Sequence, residues 1–152
     1  MDTPEMDKQV EALNDLIQIN NDRIAGYKEA IEVLEQDKDL EPLFQRMIND
    51  SVDFNESLER LVILLGGEVA QGTSGAGKVY RAWMELKAFL TAGDRRTILD
   101  SCVTGEETAL RAYDNVLETY ELVDTVRPTI AQQKDHISQA LQEVVALKQA
   151  AG

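Results

Sequence analysis

The sequence GGEVAQGTSGAG, at residues 66–77, contains five of the nine glycines in this chain of 152 residues and decides how the fold is connected. Glycine has the greatest backbone freedom of all residues, so such a cluster predicts a loop and not a helix or strand. The cluster divides the chain into two halves, and the hydrophobic pattern of each half is typical of a helical hairpin.

Two long helices are predicted before the loop. The first covers about residues 5–36, where the inward positions recur at alternating steps of three and four: Val10, Leu13, Ile17, Asn20, Ile24, Tyr27, Ile31 and Leu34. The second covers about residues 40–65. Because only a short connection separates them, these two helices are expected to be antiparallel neighbours.

The sequence after the glycine-rich loop predicts one short helix and two long helices. The short amphipathic helix covers about residues 78–91 and includes Trp83. Asp94 is expected to cap the third long helix, whose inward positions are Leu99, Cys102, Glu106, Ala109, Tyr113, Val116 and Tyr120. Asp124 or Thr125 is expected to begin the fourth, with inward positions Val126, Ile130, Gln133, Ile137, Ala140, Val144 and Leu147.

These elements predict an all-α, ferritin-like four-helix bundle, formed by residues 1–152 as a single domain. A long crossover with its own short helix would join the second helix to the third, which distinguishes this arrangement from a bundle with short loops throughout. No segment shows the alternation of a strand, so we expect no sheet.

Composition excludes several classes of function. The net charge is −13, which disfavours binding to nucleic acid or to an anionic membrane. One cysteine and one histidine exclude a disulfide framework and any site that needs two histidines. The acidic N-terminal sequence and the absence of a long apolar segment predict a cytoplasmic protein, and a homodimer is compatible with its exposed helix faces.

Polar residues at inward positions define the candidate site. Glu106 is level with about residue 139 if the last two helices are antiparallel, which places it near Gln133 and His136, and Asp50 lies at a similar level on the second helix. These four residues are the candidate metal ligands, for iron or another divalent cation. The alternative is a buried polar network that fixes helix register without any cofactor, in which Asn20 faces Asn55.

Two known site patterns are incomplete in this chain. A ferritin-type di-iron centre requires Glu-x-x-His on two helices, whereas His136 follows Gln133 at that spacing and no second histidine exists. The segment from Gly72 to Lys78 fits G-x-x-x-x-G-K, but Val79 replaces the Ser or Thr that would hold magnesium. The hypothesis of a nucleotide-dependent enzyme therefore depends on this incomplete motif alone.

Several motifs resemble a known family: Gly66-Gly67, Gly75 to Lys87 with its Arg-x-Trp-Met-x-Leu-Lys stretch, Leu13 to Leu16, Cys102 with Gly105-Glu106, Ala112-Tyr113, and Gln132 before His136. Over about residues 8–148 the chain resembles a bacterial ferritin-like four-helix-bundle family, catalogued as domain of unknown function family 2383. The resemblance implies a ferritin-like fold and no established activity. Tyr80, Asn20 and Val103 stand where members often have histidine, cysteine and an acidic residue, so potential ligands are missing.

We therefore expect a non-enzymatic bundle without a cofactor, serving as a stress-related or interaction module. The competing hypothesis is a metal-binding protein that uses Glu106 and His136, helped by Gln133 and Asp50.

Overall fold

The computed structural model describes residues 4–34, 36–72 and 95–151. Regular structure in these ranges consists of four α-helices: α1 (Pro4–Val33), α2 (Glu41–Leu64), α3 (Arg95–Thr119) and α4 (Arg127–Ala151). The described ranges contain no strand, so the predicted all-α bundle is confirmed. None of these four helices combines the length and the apolar character needed to span a bilayer.

The helix starts follow the positions of the prolines. Pro4 is the first residue of α1, and Pro42 and Pro128 are the second residues of α2 and α4. Proline is suited to these positions because the first helical N–H groups have no partner within the helix. The fourth helix begins at Arg127, slightly later than predicted, because the backbone N–H groups of Val126 and Arg127 first close a turn onto the carbonyl of Val123.

The helices form two hairpins, α1 with α2 and α3 with α4, which also contact each other through α1 with α3 and α2 with α4. Along α1 and α3, Gln9 contacts Val123 and Arg23 contacts Glu106, so these two helices are antiparallel. Along α2 and α4, Arg46 contacts Glu143 and the Phe54 carbonyl contacts Gln133, so these two helices are also antiparallel. It follows that α2 and α3 run in the same direction, so their connection travels the length of the bundle. The predicted long crossover is confirmed, whereas its short helix over 78–91, Trp83 and the cap Asp94 lie outside the described residues.

The first part of the crossover runs along α1. The Asn14 amide donates to the Glu68 carbonyl and accepts from the Ala70 N–H, both at 2.9 Å. One and two turns further along α1, Gln18 and Asn21 donate to the carbonyls of Gln71 and Gly72, at 3.2 and 2.7 Å. These side chains supply hydrogen bonds that a loop without regular structure cannot supply to itself.

The core is largely aliphatic, which agrees with an aromatic content of only 5%. All four helices contribute fully buried side chains, including Leu13, Ile17, Phe44, Leu58, Ile98, Leu99, Ile130, Ile137 and Val144. The face of α1 that is buried is wider than predicted, since Ala12, Leu16, Arg23 and Ala30 are also inaccessible. The reason is that α1 packs against α2, α3 and the crossover together, so a single row of inward positions underestimates its contact surface.

We expect Gly67→Ala to lower the free energy of unfolding by about 1–3 kcal/mol, because overpacking strains a well-packed contact. A β-carbon at position 67 would lie 2.5 and 2.8 Å from the two methyl carbons of Val10, and the β-branched valine cannot easily turn away. The measurement is urea unfolding followed by circular dichroism.

The control is the double variant Val10→Ala/Gly67→Ala. It removes the two methyl groups that the new β-carbon would meet, so it should be less destabilised than the sum of the two single variants. Strict additivity of the two effects would contradict the proposed steric cause.

Candidate functional site

The centre of the bundle contains a buried ion pair between α1 and α3. Arg23 Nε and Nη2 donate to the two carboxylate oxygens of Glu106, at 2.6 and 2.7 Å, while Nη1 donates to Ser51 Oγ of α2 at 2.7 Å. Arg23 is 1% exposed, and Glu106 and Ser51 are fully buried. This bidentate geometry matches the planar guanidinium to the carboxylate, and it links three helices at one level.

The electrostatics of the centre follow from this pair. Burial alone would lower the pKa of Arg23, but the adjacent Glu106 carboxylate more than offsets the effect, so its pKa is raised and the guanidinium stays charged. The pKa of Tyr27 is also raised, mainly by burial and further by Glu106, which keeps the phenol protonated. The guanidinium carbon lies 5.9 Å from the centre of the Tyr27 ring, so the ring borders the charge.

A second polar layer lies about one turn away and links all four helices. Asn20 Nδ2 of α1 donates to the Tyr113 hydroxyl of α3 at 2.7 Å, and this hydroxyl donates to Gln133 Oε1 of α4 at 2.7 Å. Gln133 Nε2 then donates to the Phe54 carbonyl of α2 at 3.2 Å. Burial raises the pKa of Tyr113, so its hydroxyl keeps the proton that this chain of bonds requires.

The structure separates the predicted site residues into two places. Asp50, Gln133 and His136 line one groove of about 310 Å³ between α2 and α4, in which Gln133 forms the buried side and His136 is exposed. Glu106 does not line this groove, because its carboxylate is directed to Arg23 of α1. The predicted grouping of Glu106 with Gln133 and His136 is therefore not formed, although all four residues lie at the middle of the bundle.

The predicted contact between Asn20 and Asn55 also differs in detail. Asn55 Nδ2 donates to Asn21 Oδ1 at 2.9 Å, while Asn20 is directed to Tyr113 instead. Adjacent residues on a helix are separated by about 100°, so one position decides whether the side chain faces α2 or α3.

Arg23 is the central residue that the sequence reasoning missed. Arginine is rarely buried, and the spacing of apolar residues on α1 predicts Ile24 as the inward position instead. The available signal was the spacing: Arg23 lies three residues after Asn20 and four before Tyr27, which puts it on the same face as two residues assigned to the interior. A carboxylate buried at Glu106 is stabilised by protonation, by a hydrogen-bonding neighbour or by a cation, and Arg23 is a basic residue on the facing side of α1.

The donor set at the centre does not fit a metal ion. Both Glu106 oxygens accept hydrogen bonds from a guanidinium, whose positive charge would repel a cation at that position. Among the side chains of the described ranges, no group of three or more His, Cys, Asp or Glu residues is arranged to hold a metal. At the centre, the Glu106 carboxylate is neutralised by the Arg23 guanidinium of the same chain.

The structure also locates Cys102 and the start of the glycine-rich nucleotide motif. Cys102 is fully buried in the core, and burial together with Glu106 raises the pKa of its thiol, which makes it a weak nucleophile. The nucleotide motif begins at Gly72, and its remaining residues lie outside the described ranges.

Comparison with protein families gives one match. A family model described as a domain of unknown function (DUF2383) fits residues 8–119. The chain belongs to this family. The match contains Arg23, Ser51, Glu106 and Tyr113, whereas Gln133 and His136 of α4 lie beyond it. No curated protein matches, and no solved structure matches.

In this DUF2383 domain, Glu106→Leu is expected to lower the free energy of unfolding by about 3–5 kcal/mol, because it leaves the Arg23 charge buried and unpaired. The double variant Arg23→Met/Glu106→Leu removes both charges and should recover most of that loss. Urea unfolding of the two single variants and the double variant measures the coupling. If the double variant is as unstable as the sum of the singles, the pair does not act as a unit.

Tyr113→Phe is expected to cost about 1–3 kcal/mol of unfolding free energy, because Gln133 Oε1 loses its donor inside the core. Tyr120→Phe is the matched control: this tyrosine is half-buried at the end of the same helix, so removal of its hydroxyl should change stability by less than about 0.5 kcal/mol. Similar effects of the two substitutions would argue against the four-helix polar layer.

Proposed function

We propose that this DUF2383 domain is a non-enzymatic, ferritin-like bundle that functions as a protein-interaction module, in a stress response or in another cytoplasmic process. The observation that carries the proposal is the bidentate pair of Arg23 with Glu106. In ferritin-like proteins a carboxylate at mid-bundle binds a metal, and here the chain supplies its own guanidinium to the carboxylate. A centre that is closed in this way leaves the surface as the place where the protein acts.

The ferritin-like affiliation is supported by the connectivity. Antiparallel contacts between all neighbouring helices, combined with one long crossover, are the arrangement found in that class of bundle. The polar residues also lie at mid-bundle on all four helices, where such proteins place their ligands. In this proposal the polar layers fix helix register, which is the best-attested role of buried polar groups in bundles.

The competing function is metal (iron) binding at a degenerate site. It would use Asp50 and His136, which line one groove together with Gln133, while Glu106 would have to exchange Arg23 for the metal. The residues do not fit this arrangement well, because four candidate ligands are divided between two places.

Elemental analysis of protein purified without chelator, followed by anaerobic addition of ferrous ion and then oxygen, tests the proposal. We expect less than about one tenth of a metal ion per chain and no optical change, because Glu106 is already neutralised by hydrogen bonding and charge. Stoichiometric iron would overturn the proposal. In that case His136→Asn and Glu106→Gln would identify whether the groove or the centre holds it.

A further inference from the structure

Two side-chain carbonyl oxygens inside the bundle are buried and accept no hydrogen bond from the described residues: Asn20 Oδ1 of α1 and Asn55 Oδ1 of α2. Asn20 is fully buried, and Asn55 is 7% exposed. A buried acceptor without a donor costs free energy, so native proteins nearly always supply one, from a side chain, the backbone or an ordered molecule. The two oxygens therefore indicate a ligand that donates hydrogen bonds.

The orientation of the Asn20 amide is fixed by the bonds that it donates. Its Nδ2 donates to the Leu16 carbonyl at 3.0 Å and to the Tyr113 hydroxyl at 2.7 Å. Turning the amide over would place Oδ1 against the Leu16 carbonyl, which can only accept. The Tyr113 hydroxyl cannot donate to Oδ1 either, because it donates to Gln133 Oε1 at 2.7 Å. Gln133 is itself oriented by the Phe54 carbonyl, to which its Nε2 donates.

The orientation of the Asn55 amide is fixed in a similar way, through Asn21 of α1. Asn21 Nδ2 donates to the Gly72 carbonyl at 2.7 Å, so Asn21 Oδ1 is left to accept from Asn55 Nδ2, at 2.9 Å. Turning the Asn55 amide over would bring two acceptor oxygens together. The backbone carbonyls of Leu16, Gly72 and Phe54 thus determine how these amides are oriented, and the two oxygens without a donor follow from that orientation.

Both oxygens belong to residues of the second polar layer. From Asn20 the chain of bonds passes through α3 and α4 to the Phe54 carbonyl of α2. Asn55 follows Phe54 on α2 and donates back to α1 at Asn21, which follows Asn20. The layer therefore runs around the bundle through all four helices. Asn20 and Asn55 lie where it returns from α2 to α1, so one small ligand between these two helices can serve both oxygens.

Charge and the number of donors select the ligand. Two acceptor oxygens require two donors, which disfavours an anion. A cation is disfavoured by the Arg23 guanidinium about one helical turn from Asn20, and the Glu106 carboxylate is already paired with that guanidinium. Water is neutral and small and has two donors. Buried waters of this kind are common in globular proteins and typically make about three hydrogen bonds to polar groups that lack other partners.

We propose that a single buried water molecule bridges Asn20 Oδ1 and Asn55 Oδ1 and completes the second polar layer. The water donates one hydrogen bond to each oxygen and so links α1 to α2 at the level where the layer returns to α1. The site requires both asparagines, because each supplies one acceptor. It is independent of the proposed function, since it concerns the interior of the bundle and neither a metal nor a protein partner.

Magnetic relaxation dispersion of water oxygen tests the site, because it counts the water molecules that a protein holds for longer than its tumbling time. We expect Asn20→Leu and Asn55→Leu each to lose about one such water per chain, since leucine has a similar size and no acceptor. The double variant should also lose about one, because the two asparagines share it. Asn49→Leu is the control: this asparagine of α2 is exposed, so no loss is expected.

Three results of that measurement would overturn the proposal: no loss in any variant, loss in only one of the two single variants, or loss of about two waters in the double variant. A crystal structure of the parent protein that resolves ordered water is the second measurement, and it does not depend on the folding of any variant. It should show one water at about 2.5–3.0 Å from both oxygens. Two oxygens without water, or with a separate water each, would contradict the bridge.

Discussion

The buried pair of Arg23 and Glu106 is the interaction on which the centre of this bundle depends. Neither charge could remain inside without the other, because a lone buried ion costs several kcal/mol even after relaxation. Arg23 donates two hydrogen bonds to Glu106 of α3 and one to Ser51 of α2. All three bonds form only when α1, α2 and α3 are at one relative height. A purely aliphatic core does not impose this requirement, because small shifts of one helix along its neighbour change the packing energy little.

The second layer adds the fourth helix to the same constraint. Tyr113 accepts from Asn20 and donates to Gln133, and Gln133 reaches the backbone of α2, so a shift of any helix by one turn would break a buried bond. The two hairpins are joined by one long connection, and a long connection by itself constrains their relative height only weakly. The polar layers supply that specification.

Because Arg23 neutralises Glu106 at the centre, the surface is where a function of this domain is to be sought. The family model matches the part of this chain that contains Arg23, Ser51, Glu106 and Tyr113, and the family's description assigns no activity. At the groove between α2 and α4, Asp50 and His136 are accessible to solvent, whereas Gln133 is buried and belongs to the polar layer.

The four helices, their approximate ends, the aliphatic core and the crossover are predictable from the sequence, because each follows from the local spacing of apolar residues, prolines and glycines. It also indicated that Glu106, Gln133 and Asn20 would be inside. Their hydrogen-bond partners, in contrast, depend on how the helices pack against one another. Periodicity gives the inward face of a helix, but neighbouring inward positions such as Asn20 and Asn21 point to different helices, and the choice depends on how the helices are arranged around each other. For the same reason Arg23, an improbable interior residue on its own, became the natural partner of Glu106 once α3 lay beside α1.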